Sequence, residues 1–441
     1  MNGSMKANQF SISAERRNFR RVVFAVSLLA LAAMGRAARA QDAAGDYGSE
    51  EQRGLAVSVG YTGDLRRNTT GGLAVGTAYS DLLDLGATWS TNNLFPGARL
   101  TTNLSIMHIG GDDISGDYVG DLHGVNNIEA PDAWHLYEFW SEVSFGGRAN
   151  ASLRLGVLDL NADFDTPVTS GLFVGSAHGI GTELSQTGGN GPAVWPVTGL
   201  GIRLAGQFNE GLHWRFGAFE GTPGDDDEAS FASFDVAGDE GSLLIGELEY
   251  MSDQVNKISL GMWSYTASFE RLDSELTTQS PVQHGNRGVY ALVDLPLASV
   301  GPARIDGSLR VGVADGRFNP VDEFVGATVV VSHPVAGRPD DAIGVAVAYG
   351  RTGDIYRAVQ SFAGISAASA EISYELTYRA PLSDWLAIAP SVQFVSNPGA
   401  DLTMRDAWVV GLRFELSREK SWPMFAQRNA PHDPSVAQAE K

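Results

Sequence analysis

The sequence has no cysteine, which excludes a disulfide scaffold, a thiolate nucleophile and a Cys-ligated metal. Lysine is nearly absent too: only Lys6, Lys257, Lys420 and Lys441 occur, and every other cation is an arginine. Arginine carries a rigid planar fork, so this bias suits cations held in structured, partly enclosed places. Beyond the N-terminal region nothing approaches the run of about 18 apolar residues that a membrane-spanning helix needs. An amphipathic helix of useful length is also missing. The eight His form no pair at metal-ligand helix spacing. Gly175-Ser176 followed by His178 does not make the Gly-x-Ser-x-Gly pattern of a nucleophile elbow, and no glycine loop is built to cradle phosphate. No catalytic residue, metal site or cofactor site is therefore assigned.

What is present begins with an address. Arg16 to Arg21 form a basic stretch, Val22 to Met34 an apolar run of 13 residues, and Ala38-Arg39-Ala40 a small-x-small cleavage signal. This is the pattern of a secretory signal peptide over residues 1–40, cleaved near Ala40. Those 40 residues hold seven basic groups and one acid, so the chain-wide charge of −21 conceals 24 basic against 51 acidic groups in residues 41–441, net −27. A surface this acidic argues against nucleic acid and against electrostatic docking on anionic lipid. Much of the acid excess lies in segments that read as loops, such as Asp112 to Asp121 and Asp225 to Glu228. The latter run lacks the glycine-punctuated spacing of a calcium loop and reads as solvated.

The mature chain alternates with period two from end to end. Leu55, Val57 and Val59 interleave with small residues, Ile202 and Leu204 flank Arg203, and Leu248 separates Glu247 from Glu249. Leu309 and Val311 bracket Arg310, and Trp408, Val410 and Leu412 precede Arg413 in the same rhythm. About 16 strands of roughly ten residues can be placed this way. Their connections alternate long (near 111–131, 163–195, 221–240, 266–286 and 351–368) and short (near 146–150, 209–210, 252–256, 298–302, 333–340 and 381–384). A soluble sandwich has no reason to sort its loops by parity. A membrane meander does, with short periplasmic turns and long extracellular loops. The expected fold is all-β: a 16-stranded antiparallel transmembrane β-barrel (porin) over residues 53–416. A mature N-terminal segment, 41–52, precedes it and a flexible tail, 417–441, follows. Pro390 falls inside a strand pattern, where a bulge or bend is expected.

Alternation places Arg99, Arg154, Arg203, Arg215, Arg304, Arg310, Arg379 and Arg413 on the face opposite the apolar one. The same count adds Glu138, Glu142, Glu247, Glu249, Asp306, Glu371, Glu375 and Glu415. In a barrel that face is a wet lumen, because isolated charges in hydrocarbon are costly. Eight arginines against eight acids make it near neutral, which suits an uncharged solute. Aromatic faces suit the C–H surface of such a solute, and charged hydrogen-bond groups suit its polar groups. The stretch Trp134 to Glu142 carries both, in Trp134, His135, Glu138, Trp140 and Glu142. Arg154 and Arg203 flank the long 163–195 segment, and Arg215 follows on the next strand. Glu138, Trp140, Glu142, Arg154, Arg203 and Arg215 are the candidate pore-lining residues. The competing reading is a wall ion ladder remote from any solute, or, for Trp140, an aromatic belt at the rim.

Several segments resemble one family in order. They are NNIEAPDAWHLYEFW (Asn126–Trp140), LRLGVLDLNADFD (Leu153–Asp165), WPVTGLGIRL (Trp195–Leu204), GRPDDAIGVAVAYG (Gly337–Gly350) and ELTYRAPLSDWLAIAPSVQFVSNPG (Glu375–Gly399), followed by the Trp408–Leu416 strand. Together they resemble the carbohydrate-selective (OprB-type) porins of Gram-negative outer membranes. The resemblance implies passive diffusion of glucose and related sugars, monosaccharides or small oligosaccharides, with no enzymatic activity. It also implies an outer-membrane setting against lipid and lipopolysaccharide, and a homo-oligomer is an open option. The alternative is a general or cation-preferring porin without sugar selectivity, motivated by the net charge. A barrel hydrolase is a further alternative, for which no Ser/His/acid set can be assembled.

Overall fold

The computed structural model describes residues 54–95, 98–146, 150–224, 241–252, 255–276 and 280–423. The expected signal peptide, the 41–52 segment and the acidic run Asp225 to Glu228 lie outside them. The first half of the chain supplies β1 (Gly54–Thr70), β2 (Gly76–Phe95), β3 (Ala98–Gly111), β4 (Ala133–Phe145), β5 (Ala151–Leu158), β6 (Gly199–Gln207), β7 (Leu212–Glu220), β8 (Ser242–Ser252) and β9 (Val255–Tyr265). A small hairpin in the next loop pairs β10 (Ser268–Glu270) with β11 (Val282–His284). The second half adds β12 (Arg287–Val300), β13 (Ala303–Ala314), β14 (Val321–Ser332), β15 (Ala342–Thr352), β16 (Ala370–Ser383), β17 (Leu386–Ser396) and β18 (Ala407–Pro423).

Leaving out the small hairpin, the strands form one closed antiparallel barrel of sixteen, each hydrogen-bonded to its neighbours in sequence and β1 to β18. Closure has a direct cause. An open edge in hydrocarbon would leave a row of N–H and C=O groups with no partner, at several kcal/mol each. The expected alternation of connections holds in most places: residues 112–132, 159–198, 221–241, 266–286 and 353–369 connect strands at one end, while 146–150, 208–211, 253–254 and 301–302 connect them at the other. It fails at 71–75 and 315–320, short connections at the long-loop end, and at 333–341, which is longer than either and lies at the short-turn end.

The period-two reading of the faces also holds. Outward positions are exposed and apolar, with Leu260 at 62% and Met262 at 64%. Inward positions carry Arg203, Glu247, Glu249, Arg310 and Arg413, all buried against other protein groups.

Three sequence expectations are corrected. The last strand does not end at Leu416: Ser417 to Pro423 continue β18 and pair with Gly54 to Gly60 of β1, so a tail from 417 onward is wrong by seven residues. The polar run Ser417-Arg418-Glu419-Lys420-Ser421 hid that extension, because a strand at the barrel rim no longer needs an apolar outer face. Residues 424–441 lie outside the described part. Pro390 makes no bulge; it keeps register opposite Leu412, while the ladder toward β16 lapses between the pairs Thr377–Ser391 and Ala380–Ile388. The missing N–H removes ladder bonds without adding a residue. Finally, a nine-residue helix, Asp354–Phe362, stands in the 353–369 loop. It is too short for helical periodicity to separate from loop.

The packed core lies inside the barrel, between its wall and two inward loops. Leu160, Phe164 and Leu184 of the 159–198 loop pack on Phe219, Trp263 and Tyr290 of the wall. Ile114, Val119 and Val125 of the 112–132 loop pack on Val395 and Val409. Glycine makes the space: a Cβ on wall residue Gly344 would fall 2.7 Å from Leu172 Cδ2, and one on Gly350 2.7 Å from the His123 ring.

Candidate functional site: the inner wall and its loops

The β4–β5–β6 register sets Glu142 beside Arg154 and Arg154 beside Arg203. Glu142 Oε2 accepts from Arg154 Nε at 2.8 Å and from Arg203 Nη2 at 2.7 Å. Asp163 arrives from the inward loop and closes a square. Its Oδ2 lies 3.0 Å from Arg154 Nη1 and its Oδ1 3.3 Å from Arg203 Nε. The Arg154 guanidinium stacks 4.0 Å over the Trp140 ring. Exposure is graded: the Arg154, Glu142 and Asp163 side chains are 17%, 16% and 14% exposed, whereas Arg203 is 5% exposed. Glu138 lies next along β4 and accepts from the backbone N–H of Asp159 at 3.3 Å. Asp159 itself is buried, which pushes its carboxyl up to about 6, while Tyr137 donates to it.

Arg215 belongs to a second set. It holds Glu249 with both terminal nitrogens, at 2.9 and 3.0 Å, and Glu247 at 3.0 Å. Lys257, the only lysine between residues 7 and 419, sits 3.0 Å from Glu249 and donates to the Thr166 carbonyl and hydroxyl. Deeper in the wall, Arg310 grips the loop residue Asp165 through two nitrogens, at 3.0 and 2.6 Å, and Glu183 at 2.6 Å. Burial raises the Glu183 carboxyl above its ordinary value and Arg310 opposes that. Tyr290 donates to Glu247 at 2.7 Å, and Glu247 accepts the Asp165 N–H.

On the opposite wall two glutamates of β16 hold both inward loops. Glu371 accepts the backbone N–H groups of Leu122, His123 and Gly399. Glu375 accepts those of Val174 and Gly175, at 2.8 and 2.9 Å, along with Thr377 and Gln393. His123 bridges the two loops through Thr182 at 2.7 Å, and burial lowers its imidazole to about 4.

The six candidate residues therefore all face inward, but not as one cluster. Glu142, Arg154 and Arg203 meet directly, Trp140 and Glu138 border them, and Arg215 anchors a separate group. Trp134 faces outward and packs on His108 with ring centroids 4.9 Å apart, because the extra residue Tyr137 shifts the register of β4. Sequence reasoning missed Asp163, Asp165 and Glu183, the loop carboxylates that complete the wall pairs. The Asp163–Asp165 spacing inside the quoted Leu153–Asp165 segment was the available signal. It also gave Glu371 and Glu375 no role beyond facing inward. Among the described residues no group of three or more His, Asp or Glu is arranged to hold a metal.

The arrangement offers paired charges, each with hydrogen-bond capacity left over, beside an aromatic face in a closed membrane barrel. Two solved structures of OprB from Pseudomonas putida share the fold. The high-pH structure matches with a TM-score of 0.71 at 19% identity, covering 83% of this chain and 94% of that one. The low-pH structure matches at 0.51 and 15%, covering 83% and 93%. Porin B of Pseudomonas aeruginosa is 22% identical over 412 residues, spanning 84% of this chain and 90% of the relative. Residues 74–417 match the family described as carbohydrate-selective porin, OprB family. With the barrel, the inward loops and a match over most of its length, the chain belongs to the carbohydrate-selective porins of the OprB family, channels of the Gram-negative outer membrane.

Proposed function

We propose that the square of Glu142, Arg154, Arg203 and Asp163, with Trp140 beside it, is the place where passing sugars are read. The 159–198 loop narrows the barrel there, and glucose and related mono- and small oligosaccharides diffuse passively past it. The observation that carries this reading is the graded exposure of the square: Arg154, Glu142 and Asp163 keep an accessible edge next to an aromatic ring, while Arg203 is spent on holding them in place. A neutral hydroxyl can use the leftover N–H and lone pairs, and an ion gains little from charges that already neutralise each other. Arg215 is read as a further wall contact. No catalytic step is invoked, since diffusion needs none.

Planar-bilayer conductance titrated with glucose and maltotriose tests the reading. Trp140→Ala and Arg154→Ala are expected to raise the half-blocking sugar concentration by roughly tenfold, the equivalent of about 1.4 kcal/mol. Equal block in wild type and both variants overturns the site. The alternative, a general or cation-preferring porin, draws on the acid surplus of the mature chain. Strong cation preference in reversal potentials, with no sugar block, would establish it instead. The exposed apolar band is read as facing outer-membrane lipid, with lipopolysaccharide at the long-loop end. Homo-oligomer formation is tested by light scattering of the detergent-extracted protein.

A further inference from the structure

We propose a second saccharide subsite at the short-turn mouth of the barrel, built around Trp385. It rests on the sugar-porin reading above and is separate from the β4–β6 square. A cavity of about 440 Å³ opens at the hairpin between β16 and β17, lined by Trp385, Arg379, Glu415, Asp340, Asp384 and Ser417 among others. That volume falls within the roughly 300–1,000 Å³ of ordinary ligand pockets.

Register decides which side of the wall it lies on. Ala387 pairs with Glu415, an inward position, and the N–H of Ser417, two residues on, donates to the Trp385 carbonyl at 3.1 Å. Ser417 pairs in turn with Gly60, on the small-residue inner face of β1. Trp385 itself stands in the turn between β16 and β17 and lines the cavity together with the inward Arg379 and Glu415, unlike the outward Trp408 and Trp422 of β18. It is nevertheless 53% exposed. A cavity-lining tryptophan left this uncovered is not core packing.

Its neighbours supply the polar half. Arg379 Nε and Nη2 both reach Glu415 Oε2, each at 2.8 Å. Converging on one oxygen leaves Glu415 Oε1 and Arg379 Nη1 outside the pair. The two side chains are 37% and 30% exposed, so a donor and an acceptor of fixed geometry stand at the cavity. Aromatic face, guanidinium and carboxylate together are what a pyranose ring with its hydroxyl fringe needs. In such barrels the short-turn end faces the periplasm, so the subsite would receive sugar leaving the lumen.

The test uses full-length protein labelled with fluorotryptophan, its nine tryptophan fluorine resonances observed during titration with maltotriose. Trp385→Phe and Trp140→Phe identify two of the signals by their loss. The Trp385 signal is expected to shift with maltotriose but not with a polyether of similar size. Arg379→Ala is expected to raise the midpoint of that shift by roughly threefold or more. If the Trp140 signal moves and the Trp385 signal stays still, the subsite is overturned and the proposed function stands. If neither moves and maltotriose leaves the conductance unchanged, the sugar reading itself fails.

Discussion

Arg310 sits with its guanidinium between Asp165 and Glu183, and all three side chains are buried. Breaking a buried pair by removing one partner costs about 3–5 kcal/mol, because the orphaned charge stays in place. Two carboxylates would be orphaned at once in Arg310→Ala, so the 159–198 loop should leave the wall. The expected outcome is a larger, noisier single-channel conductance, read in planar bilayers. Gly312 offers an independent route to the same end: a Cβ there would lie 1.8 Å from Glu183 Oε1 and 2.7 Å from Arg310 Nη1. Gly312→Val should therefore loosen the same loop and lower the temperature at which the folded barrel is lost in detergent. Most residue orientations were legible beforehand, since Arg203 between Ile202 and Leu204 can only face away from lipid. The partners were not. Alternation tells which face a side chain occupies, but the acid that meets Arg310 comes from residues 165 and 183, a distance no local pattern spans.

Loops are the elements that turn a wide barrel into a filled one. The 112–132 loop begins a single helical turn, Ser115–Val119, at which Glu129 accepts the N–H groups of Ile114 and Ser115. Burial pushes the Glu129 carboxyl up to about 8, with the nearby Asp113 and Asp121 adding to the rise and the two N–H groups opposing it. Because the folded value lies above the ordinary one, the contribution to loop docking is full below the usual carboxylate range. It is lost as pH climbs through about 8. Amide exchange in this loop, corrected for its intrinsic base catalysis, should accelerate between about pH 5 and about pH 9. Glu129→Gln should flatten that dependence. From sequence these loops read as length alone. Their inward course depends on Glu371 and Glu375, whose i, i+4 spacing on one strand face presents two carboxylates to backbone N–H groups far away in the chain.

At the scale of the whole molecule, closure joins the first strand to the last, from Gly54 against Pro423 to Thr70 against Trp408. A chain ending at Leu416 loses the pairs made by Ser417 to Pro423, whereas one ending at Pro423 keeps them all. The shorter chain should lose the heat-resistant folded band on denaturing gels, and the longer one should keep it. Charge also sorts itself at this scale. The net −27 of residues 41–441 accompanies an inner wall where arginines and acids pair nearly one to one. The sequence by itself determined the class, strand number, faces and loop parity, because a β-strand in a membrane must alternate and every strand must pair. Only the tertiary structure decided which charges remain within reach of a solute. Whether Arg203 is spent and Arg154 left with an open edge depends on where Asp163 arrives, and that is fixed by apolar packing of the loop inside the closed barrel rather than by any pattern along the chain.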